Sequence, residues 1–297
     1  MKTASVAIVV LTHNNLKDTV ECLESVTRLE YPSFETVLVD NHSTDGSIET
    51  IRARFPDLPC VRNAANLGVA GGRNTGWAHV EQNTRCDYVF FLDNDVIVRP
   101  DSLAHLVRAL EAHPEVGIVC AKAYTAAPSK TIMSVGLTVN LYTGYVADIG
   151  SGEKDVGQYD TPRYVSACGG FAWLVRASLF RELGGLDNAF NPYGWEDVDL
   201  GYRALKRGYR SWCEPAAVIH HKGCKIGRGY VAHYEKYKVK HYFLFLARHT
   251  SLPQKLACAA CIPFRVAASA VRLIVQGKGN VLGSHLSGAF ESLRRGR

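Results

Sequence analysis

The first 120 residues alternate short apolar runs with amphipathic stretches, and this alternation limits the possible folds more than any other feature of the chain. The apolar runs that predict strands are Ser5–Leu11, Glu35–Val39, Cys60–Arg62, Tyr88–Leu92 and Val116–Ala121. The stretches between them that predict helices are Leu16–Thr27, Ser47–Phe55, Gly71–Val80 and Asp101–Ala112. A βαβα order of this kind predicts an α/β fold, in which helices flank a mainly parallel central sheet.

Polar side chains follow these predicted strands at the carboxyl ends, where such sheets bind their ligands. Asp93-Asn94-Asp95 comes after the apolar run Tyr88–Leu92, and the packing of a buried strand does not require two carboxylates at its tip. Two carboxylates so close together suit a divalent cation, Mg²⁺ or Mn²⁺, that phosphate oxygens also hold. The alternative is an ordinary acidic turn.

Asp40 follows the second predicted strand and precedes the helix that starts at Ser47. Its carboxylate can accept a hydrogen bond from a pyrimidine N3–H group or from a ribose hydroxyl. The alternative for this acidic turn is helix capping, for which Thr44 and Asp45 have suitable side chains. We therefore assign capping to Thr44 or Asp45 and ligand contact to Asp40.

Residues 66–76 combine a glycine-rich turn with an arginine and two amides. Backbone N–H groups at a helix start favour phosphate oxygens, and the planar guanidinium of Arg73 can pair with a base or a phosphate. The alternative is that the glycines serve a turn and close helix packing.

Glu196 and Asp197 open a predicted helix, Asp197–Arg207, that ends before Gly208. A carboxylate at a helix N-terminus is stabilised as the anion, which suits a base that takes a proton from a hydroxyl. Simple capping is the alternative. Trp195 either stacks on a sugar face or belongs to the core.

His220 and His221 follow another short predicted strand that ends near Val218. A neutral histidine is a common metal ligand, so either residue can complete a metal site. A buried histidine of the core, or one that contacts phosphate, is the alternative.

The C-terminal third of the chain is strongly basic. Residues 1–200 carry a net charge of −9 and residues 201–297 a net charge of +15, which points to an anionic partner such as nucleic acid, anionic lipid or a phosphorylated substrate. The apolar stretch Leu256–Val275 is interrupted by Pro263, Arg265 and Arg272. It therefore predicts an interfacial helix on an anionic membrane surface rather than a span. A packed helix or an oligomer contact is the alternative, and the oligomeric state stays open.

The cysteines show no metal-finger spacing, and the lone Cys258-x-x-Cys261 pair lies in an alanine-rich stretch. An odd cysteine count and the lack of an export signal favour a reducing cytoplasm. Together with the basic segment, this predicts a cytoplasmic protein at the inner face of the cell membrane.

In this order, the motifs resemble those of the family-2 inverting glycosyltransferases with the GT-A fold, in particular rhamnosyltransferase-like enzymes of bacterial cell-surface polysaccharide assembly. The segments that carry the resemblance are Val9–Asn14, Val39–Ser43, Asn66–Gly68, Arg73–Gly76, Phe91–Asp95, Gly169–Phe171, Gly184–Asp187 with Phe190, Glu196–Leu200 with Arg203, and His220–Gly223.

The resemblance implies a role for each matching residue. Thr12, Asp40 and Arg73 hold the nucleoside of a nucleotide-sugar donor, and Asp93 supports the ribose and metal region. Asp95 binds the divalent metal, and a histidine, His220 or His221, completes the metal or pyrophosphate site. Asp197 is the general base. We also assign Asn14 and Asn66 to the donor site, and Trp195 and Glu196 to the acceptor.

The resemblance further implies the organisation of the chain and its reaction. Residues 1–225 form a GT-A catalytic domain, with a nucleotide-binding half over 1–122 and an acceptor-binding half over 123–225, followed by a basic helical region over 226–297. One sugar moves with inversion from dTDP-rhamnose or a UDP-sugar to a cell-surface glycan or a lipid-linked acceptor. The Gln-x-x-Arg-Trp motif of processive relatives is absent, which favours a single transfer over polymerisation.

Two other functions are consistent with part of the sequence. A nucleotidyltransferase also combines an α/β nucleotide-binding domain with metal carboxylates, but it would carry a glycine-rich loop directly after the first strand. A non-catalytic nucleic-acid-binding protein would use the basic segment and its aromatic residues. That alternative leaves Asp93, Asp95 and Asp197 without a role, so we expect no nucleic-acid partner.

Overall fold

A computed structural model describes residues 3–223, 228–275, 277 and 281–295 of the chain. The strands are β1 (Val6–Thr12), β2 (Phe34–Asp40), β3 (Cys60–Arg62), β4 (Tyr88–Asp93), β5 (Val96–Val98), β6 (Val116–Tyr124), β7 (Ile132–Ser134), β8 (Leu137–Asn140), β9 (Tyr145–Asp148), β10 (Arg163–Val165), β11 (Ala172–Arg176) and β12 (Arg210–His221). The helices are α1 (Leu16–Val26), α2 (Ser47–Arg54), α3 (Gly68–Asn83), α4 (Ser102–Ala112), α5 (Ala177–Glu182), α6 (Glu196–Lys206), α7 (Arg228–His249), α8 (Leu252–Val275) and α9 (Leu282–Arg295), with a 3-10 helix at Asn188–Phe190.

The main sheet has the strand order β10-β12-β6-β11-β4-β1-β2-β3, with β5 and β7 paired to β12 and β6. Strands β3, β2, β1 and β4 run parallel, as the βαβα pattern predicts, and β6 and β12 also pair in parallel. Strand β11 runs antiparallel between β4 and β6, so the sheet is mixed where its two halves meet. Strands β8 and β9 form a separate hairpin.

Helices cover both faces of the sheet because successive side chains of each buried strand point to opposite sides. Val6, Ile8 and Val10 of β1 belong to the cluster that packs against α1 and α4. Ala7 and Val9 of the same strand pack on the other side with residues of α3, α5 and α6. Packing on both faces therefore fixes the position of each buried strand, and with it the position of the polar residues at the end of that strand.

Two glycines let helix α3 lie unusually close to the sheet. A Cβ atom at Gly72 would come within 2.5 Å of Leu11 Cδ1, and one at Gly76 would overlap the side chain of Val9. The alternative that the sequence left open for these glycines, close helix packing, is what the structure has.

The C-terminal helices α7 and α8 pack against α6 through a third apolar cluster, which includes Val198 and Tyr202 of α6, Phe245 of α7 and Cys258 of α8. The predicted domain boundary near residue 225 lies among residues 224–227, outside the described residues.

Helix α8 is apolar on its outer side. Its strongly exposed apolar side chains are Leu252, Leu256, Phe264, Val271, Ile274 and Val275. Among the described residues this is the one helix long and apolar enough to cross a membrane. The mean hydropathy of its 18-residue apolar stretch is 1.7, and 12 % of that stretch is buried. That criterion considers length and composition only, and the interfacial position remains a prediction.

Candidate active site

The carboxyl ends of β2, β1 and β4 lie side by side and bring the predicted donor residues to one edge of the sheet. Thr12 pairs in register with Asp40, and Leu11 pairs with Asp93. The amide of Asn94 donates to Thr12 Oγ1 at 3.0 Å and to the hydroxyl of Thr19. The turn after β4 is therefore tied to the ends of β1 and α1.

Asp93, Asp95 and His221 form a cluster that can hold a metal ion. Their ligand atoms lie within 4.8 Å of one another, and His221 Nε2 lies 3.0 Å from Asp95 Oδ1. Antiparallel pairing of β5 with β12 places His221 opposite Val96, directly after the aspartate turn. Two carboxylates and an imidazole on rigid strand ends are a donor set that suits a divalent transition metal.

The charges in this cluster perturb the pKa of its histidine. Burial alone would lower the pKa of His221, but the hydrogen bond with Asp95 and the negative charge of Asp93 outweigh burial and raise it. The anionic environment that stabilises a protonated imidazole is equally an environment for a metal cation, which would displace that proton.

His220 lies on the opposite side of β12 from His221, because neighbouring side chains of a strand alternate. Its ring packs against Tyr124 at 5.6 Å between centroids. Burial and the positive charge of Arg99 lower the pKa of His220. Of the two histidines that the sequence left open, His221 joins the aspartates and His220 does not.

Arg73 connects the donor edge of the sheet with helix α6. Its guanidinium lies 2.6 Å from Asp93 Oδ1 and 3.2 Å from Glu196 Oε1, and it donates to the carbonyl oxygen of Gly170. The residue is only 1 % exposed. The sequence assigned Arg73 to the nucleoside, whereas in the structure the N–H groups of its guanidinium contact two carboxylates and one backbone carbonyl oxygen.

Asp197 lies at the N-terminus of α6, and its carboxylate accepts from the backbone N–H of Val198 at 2.8 Å. A Cβ atom added to Gly170 would lie 3.0 Å from Asp197 Oδ2, so this carboxylate and Arg73 share the same small residue as neighbour. Burial and the negative charge of Glu196 raise the pKa of Asp197 to about 8, against the opposing hydrogen bond from Val198 and the charge of Arg73. A carboxylate with so high a pKa is a strong base once it has lost its proton.

Glu196 is buried beside Asp197 and faces Arg73. Burial raises the pKa of Glu196, while the charge of Arg73 lowers it. The structure therefore places Glu196 in an ion pair rather than on an open surface where the predicted acceptor would bind.

Trp195 has a left-handed backbone with φ of +79°, a conformation that costs a non-glycine residue about 1–3 kcal/mol. Its indole N–H donates to the carbonyl oxygen of Lys238 on α7 at 2.9 Å, and its ring packs on Tyr242 and Phe245. The C-terminal helices thus hold the residue that precedes the two carboxylates. Trp195 also borders a cavity, so part of its ring remains accessible.

The remaining predicted donor residues stabilise the loops around the edge of the sheet. The fully buried Asp40 accepts from the backbone N–H of Ser43 at 2.8 Å and lies 3.1 Å from Nε of Arg62. Asn14 accepts from the N–H of Thr44. The amide oxygen of Asn66 accepts from Asn41 and from the N–H of Gly68.

Helix α2 begins after Gly46, and Asp45 accepts from the N–H of Ser47 at 3.1 Å, so Asp45 rather than Thr44 makes the contact that the sequence assigned to either residue.

Three residues of this region had no assigned role in the sequence. Arg62 pairs in register with Asp40 across β2 and β3, so the positions of those two strands contained the signal. Gly170 is a neighbour of both Arg73 and Asp197, and the sequence contained no signal for these contacts because the three residues are far apart along the chain. Lys222 binds Asp18 and Glu21 of α1 and anchors the end of β12.

The family model for glycosyl transferase family 2 matches residues 7–184, which is more than half of the chain and includes the aspartate turn. This chain belongs to glycosyl transferase family 2. The enzyme is 27 % identical over 231 residues to N-acetylglucosaminyl-diphospho-decaprenol L-rhamnosyltransferase of Mycobacterium tuberculosis, a match that covers 72 % of this chain and 75 % of that protein.

Solved structures share the fold of this family-2 glycosyltransferase. The mannosyltransferase PcManGT from Pyrobaculum calidifontis, in complex with GDP-Man and Mn²⁺, has a TM-score of 0.63 at 20 % identity and covers 98 % of this chain and 88 % of that one. GalNAc-T7 with UDP, GalNAc and Mn²⁺ has a TM-score of 0.60 at 16 % identity and covers 81 % of this chain and 50 % of that one. The predicted GT-A fold and the predicted enzyme class are confirmed, and family membership favours a glycosyltransferase over the two alternatives.

Proposed function

We propose that this glycosyltransferase moves a single sugar, with inversion, from a nucleoside-diphosphate sugar to a lipid-linked or cell-surface glycan acceptor in a metal-dependent reaction. The observation that carries the proposal is the arrangement around Arg73. This cation lies between Asp93 of the metal cluster and Glu196, the neighbour of Asp197, so a site for a diphosphate and a site for a base lie on either side of one guanidinium.

A divalent metal bound at Asp93, Asp95 and His221 would neutralise the charge that develops on the leaving diphosphate. Magnesium prefers oxygen ligands alone, so the imidazole of His221 favours Mn²⁺ over Mg²⁺. Asp93 lies between this position and Arg73, whose guanidinium holds the Asp93 carboxylate in place.

Asp197 performs the proton transfer. An acceptor hydroxyl oxygen forms a bond with the anomeric carbon, its proton passes to the Asp197 carboxylate, and the bond from the anomeric carbon to the diphosphate oxygen breaks. The nucleoside diphosphate leaves with the electron pair of that bond. Attack from the face opposite the leaving group inverts the anomeric centre, and the high pKa of Asp197 matches a base that must hold this proton.

The donor and the acceptor are proposed from the relatives. The similarity to a protein named as an N-acetylglucosaminyl-diphospho-decaprenol L-rhamnosyltransferase supports dTDP-rhamnose as donor and a lipid-diphosphate-linked sugar as acceptor, with a UDP-sugar as the second candidate donor. An acceptor of this kind lies in a membrane. The exposed apolar side of α8 and the basic C-terminal segment support a place at the cytoplasmic membrane surface.

A donor panel tests the proposal. Nucleotide sugars are titrated into the purified protein by calorimetry with Mn²⁺, with Mg²⁺ and with neither, and slow hydrolytic release of nucleoside diphosphate is followed in parallel. We expect metal-dependent binding of one nucleotide sugar, which Asp95→Ala abolishes and which Asp57→Ala, a matched aspartate variant at an exposed turn before β3, retains. The proposal fails if no nucleotide sugar binds with either metal.

A further inference from the structure

A cavity of about 350 Å³ lies between Trp195 and the C-terminal helices. Apolar side chains form much of its wall, among them Val239 of α7 and Ile262 and Val266 of α8. Its volume is within the range of about 300–1,000 Å³ that small-molecule sites occupy in proteins. None of the donor-site residues borders it, so it is a second site and not an extension of the metal cluster.

Two cations face this cavity. Lys238 and Arg265 border it, and in the described part of the chain no carboxylate lies within 4.0 Å of either charged group. Arg265 lies over the ring of Tyr145 at 5.4 Å, and Asp148 acts on Lys238 only at longer range. The acid in the wall, Glu235, lies 3.7 Å from His285. An apolar cavity with two cations that lack a close counter-ion suits a ligand that is anionic at one end.

The cavity is next to the proposed base. Trp195 forms part of the wall and precedes Asp197 by two residues, so their Cα atoms lie at most about 7.6 Å apart. An acceptor bound in the cavity would therefore lie near the start of the helix that carries Asp197.

Helix α8 separates the cavity from the apolar outer surface of the protein. Ile262, Arg265, Val266 and Ser269 recur at helical spacing and face the cavity. The opposite side of the same helix carries exposed apolar residues such as Leu256 and Phe264. A hydrocarbon chain that leaves the cavity thus meets apolar surface on both sides of one helix.

We propose that this cavity binds the lipid-phosphate part of a lipid-linked acceptor, with the phosphate groups paired to Lys238 and Arg265 and the first carbons of the chain against Ile262 and Val266. The inference rests on the proposed function, because it assigns a place to the acceptor of that reaction. It also gives a role to the two cations that the donor site leaves unused.

Farnesyl diphosphate is the probe that tests this site, because it joins a short isoprenoid chain to a diphosphate. Its binding to the full chain is measured by calorimetry in EDTA, so that no metal can recruit the diphosphate to Asp93 and Asp95. We expect farnesyl diphosphate to bind at least about tenfold more tightly than inorganic diphosphate, which lacks the chain, and than farnesol, which lacks the charge.

Two matched pairs of variants locate the binding. Ser269→Trp fills the cavity and removes binding, whereas Ala268→Trp, on the exposed side of the same turn, retains it. Lys238→Gln weakens binding by about tenfold, as expected for loss of a charge-assisted hydrogen bond, whereas the exposed Lys255→Gln does not. Thermal unfolding of each variant verifies that it folds. If Ser269→Trp does not fold, the comparison of Lys238→Gln with Lys255→Gln decides whether farnesyl diphosphate binds in the cavity.

The outcomes separate this inference from the proposed function. Equal binding to Ser269→Trp and Ala268→Trp overturns the inference, and so does inorganic diphosphate that binds as tightly as farnesyl diphosphate, which would indicate a site for a free anion. Metal-dependent nucleotide-sugar binding is measured on the same wild-type protein. If it is present while farnesyl diphosphate fails to bind, only the acceptor site is wrong.

Discussion

Replacement of Arg73 by methionine tests the central ion pair of the site. Methionine keeps most of the side-chain volume but leaves Glu196, whose side chain is 6 % exposed, without its cation and near Asp93. Removal of one partner of a buried ion pair costs about 3–5 kcal/mol of unfolding free energy, because the other charge stays buried without compensation. We expect Arg73→Met to lose stability in that range near pH 8.

The loss depends on pH in a defined direction. The charge of Arg73 lowers the pKa of Glu196, so the variant has a pKa that is raised still further above the ordinary 4.5. Between 4.5 and that raised value the folded variant binds more protons than the unfolded chain, and its stability therefore falls as pH rises. The destabilisation is smaller at about pH 5 than at about pH 8, because at the lower pH Glu196 takes up a proton.

Urea unfolding followed by tryptophan fluorescence measures both quantities. Arg54→Met is the matched control, because Arg54 pairs with Glu24 on the surface, with 57 % of its side chain exposed, and such pairs contribute about 0–1 kcal/mol. A loss no larger than that of the control at about pH 8, or a loss that does not change with pH, would refute the reasoning about a buried, charge-coupled centre.

Four further predictions concern catalysis, its pH dependence, metal binding and the membrane. Asp197→Asn lowers turnover by about 10²–10⁴-fold and leaves nucleotide-sugar affinity unchanged in calorimetry, and a variant that retains a tenth of the rate would contradict its role as base. For the wild type, kcat/KM for the acceptor rises with pH until about 8, because Asp197 must lose its proton to act, and a profile that is flat from pH 6 to 8 would exclude this pKa. His221→Ala weakens Mn²⁺ binding while His220→Ala leaves it unchanged, which equilibrium titration of the metal compares directly. The full chain floats with anionic vesicles and less with neutral ones, and no flotation with either would contradict a membrane position.

The helices and strands of the N-terminal half were predictable within a few residues because each is a local pattern. Cys60–Arg62 has the bounds that the sequence predicted, and the other four predicted strands start or end at most a few residues from their predicted positions. Strand β12 was only partly recognised, near Val218, although it extends from Arg210 to His221. Its pairing with β6 is irregular between Glu214 and Val218, and a shifted register interrupts the alternation by which a strand is recognised.

The residues of the site were likewise predictable where they depend on local sequence, and not where they depend on contacts between distant segments. Asp93 and Asp95 were predictable as a pair because a rigid strand delivers both, and Asp197 because a helix start favours a carboxylate. The choice between His220 and His221 depends on the register of β12 against β5, which no local pattern reveals. The partners of Arg73 lie 20 and 123 residues away in sequence, so its burial between carboxylates was beyond a local interpretation.

The closeness of α3 to the sheet has a consequence for how substitutions distant from the substrates would act. Arg73 lies between Gly72 and Gly76, and the absence of side chains at these glycines sets the separation of the helix axis from β1. A methyl group at Gly76 must push the helix away from Val9, and the guanidinium moves with it from Asp93 and Glu196. Alanine at this position would therefore resemble an active-site defect in its kinetics, although it leaves every side chain that meets a substrate chemically intact.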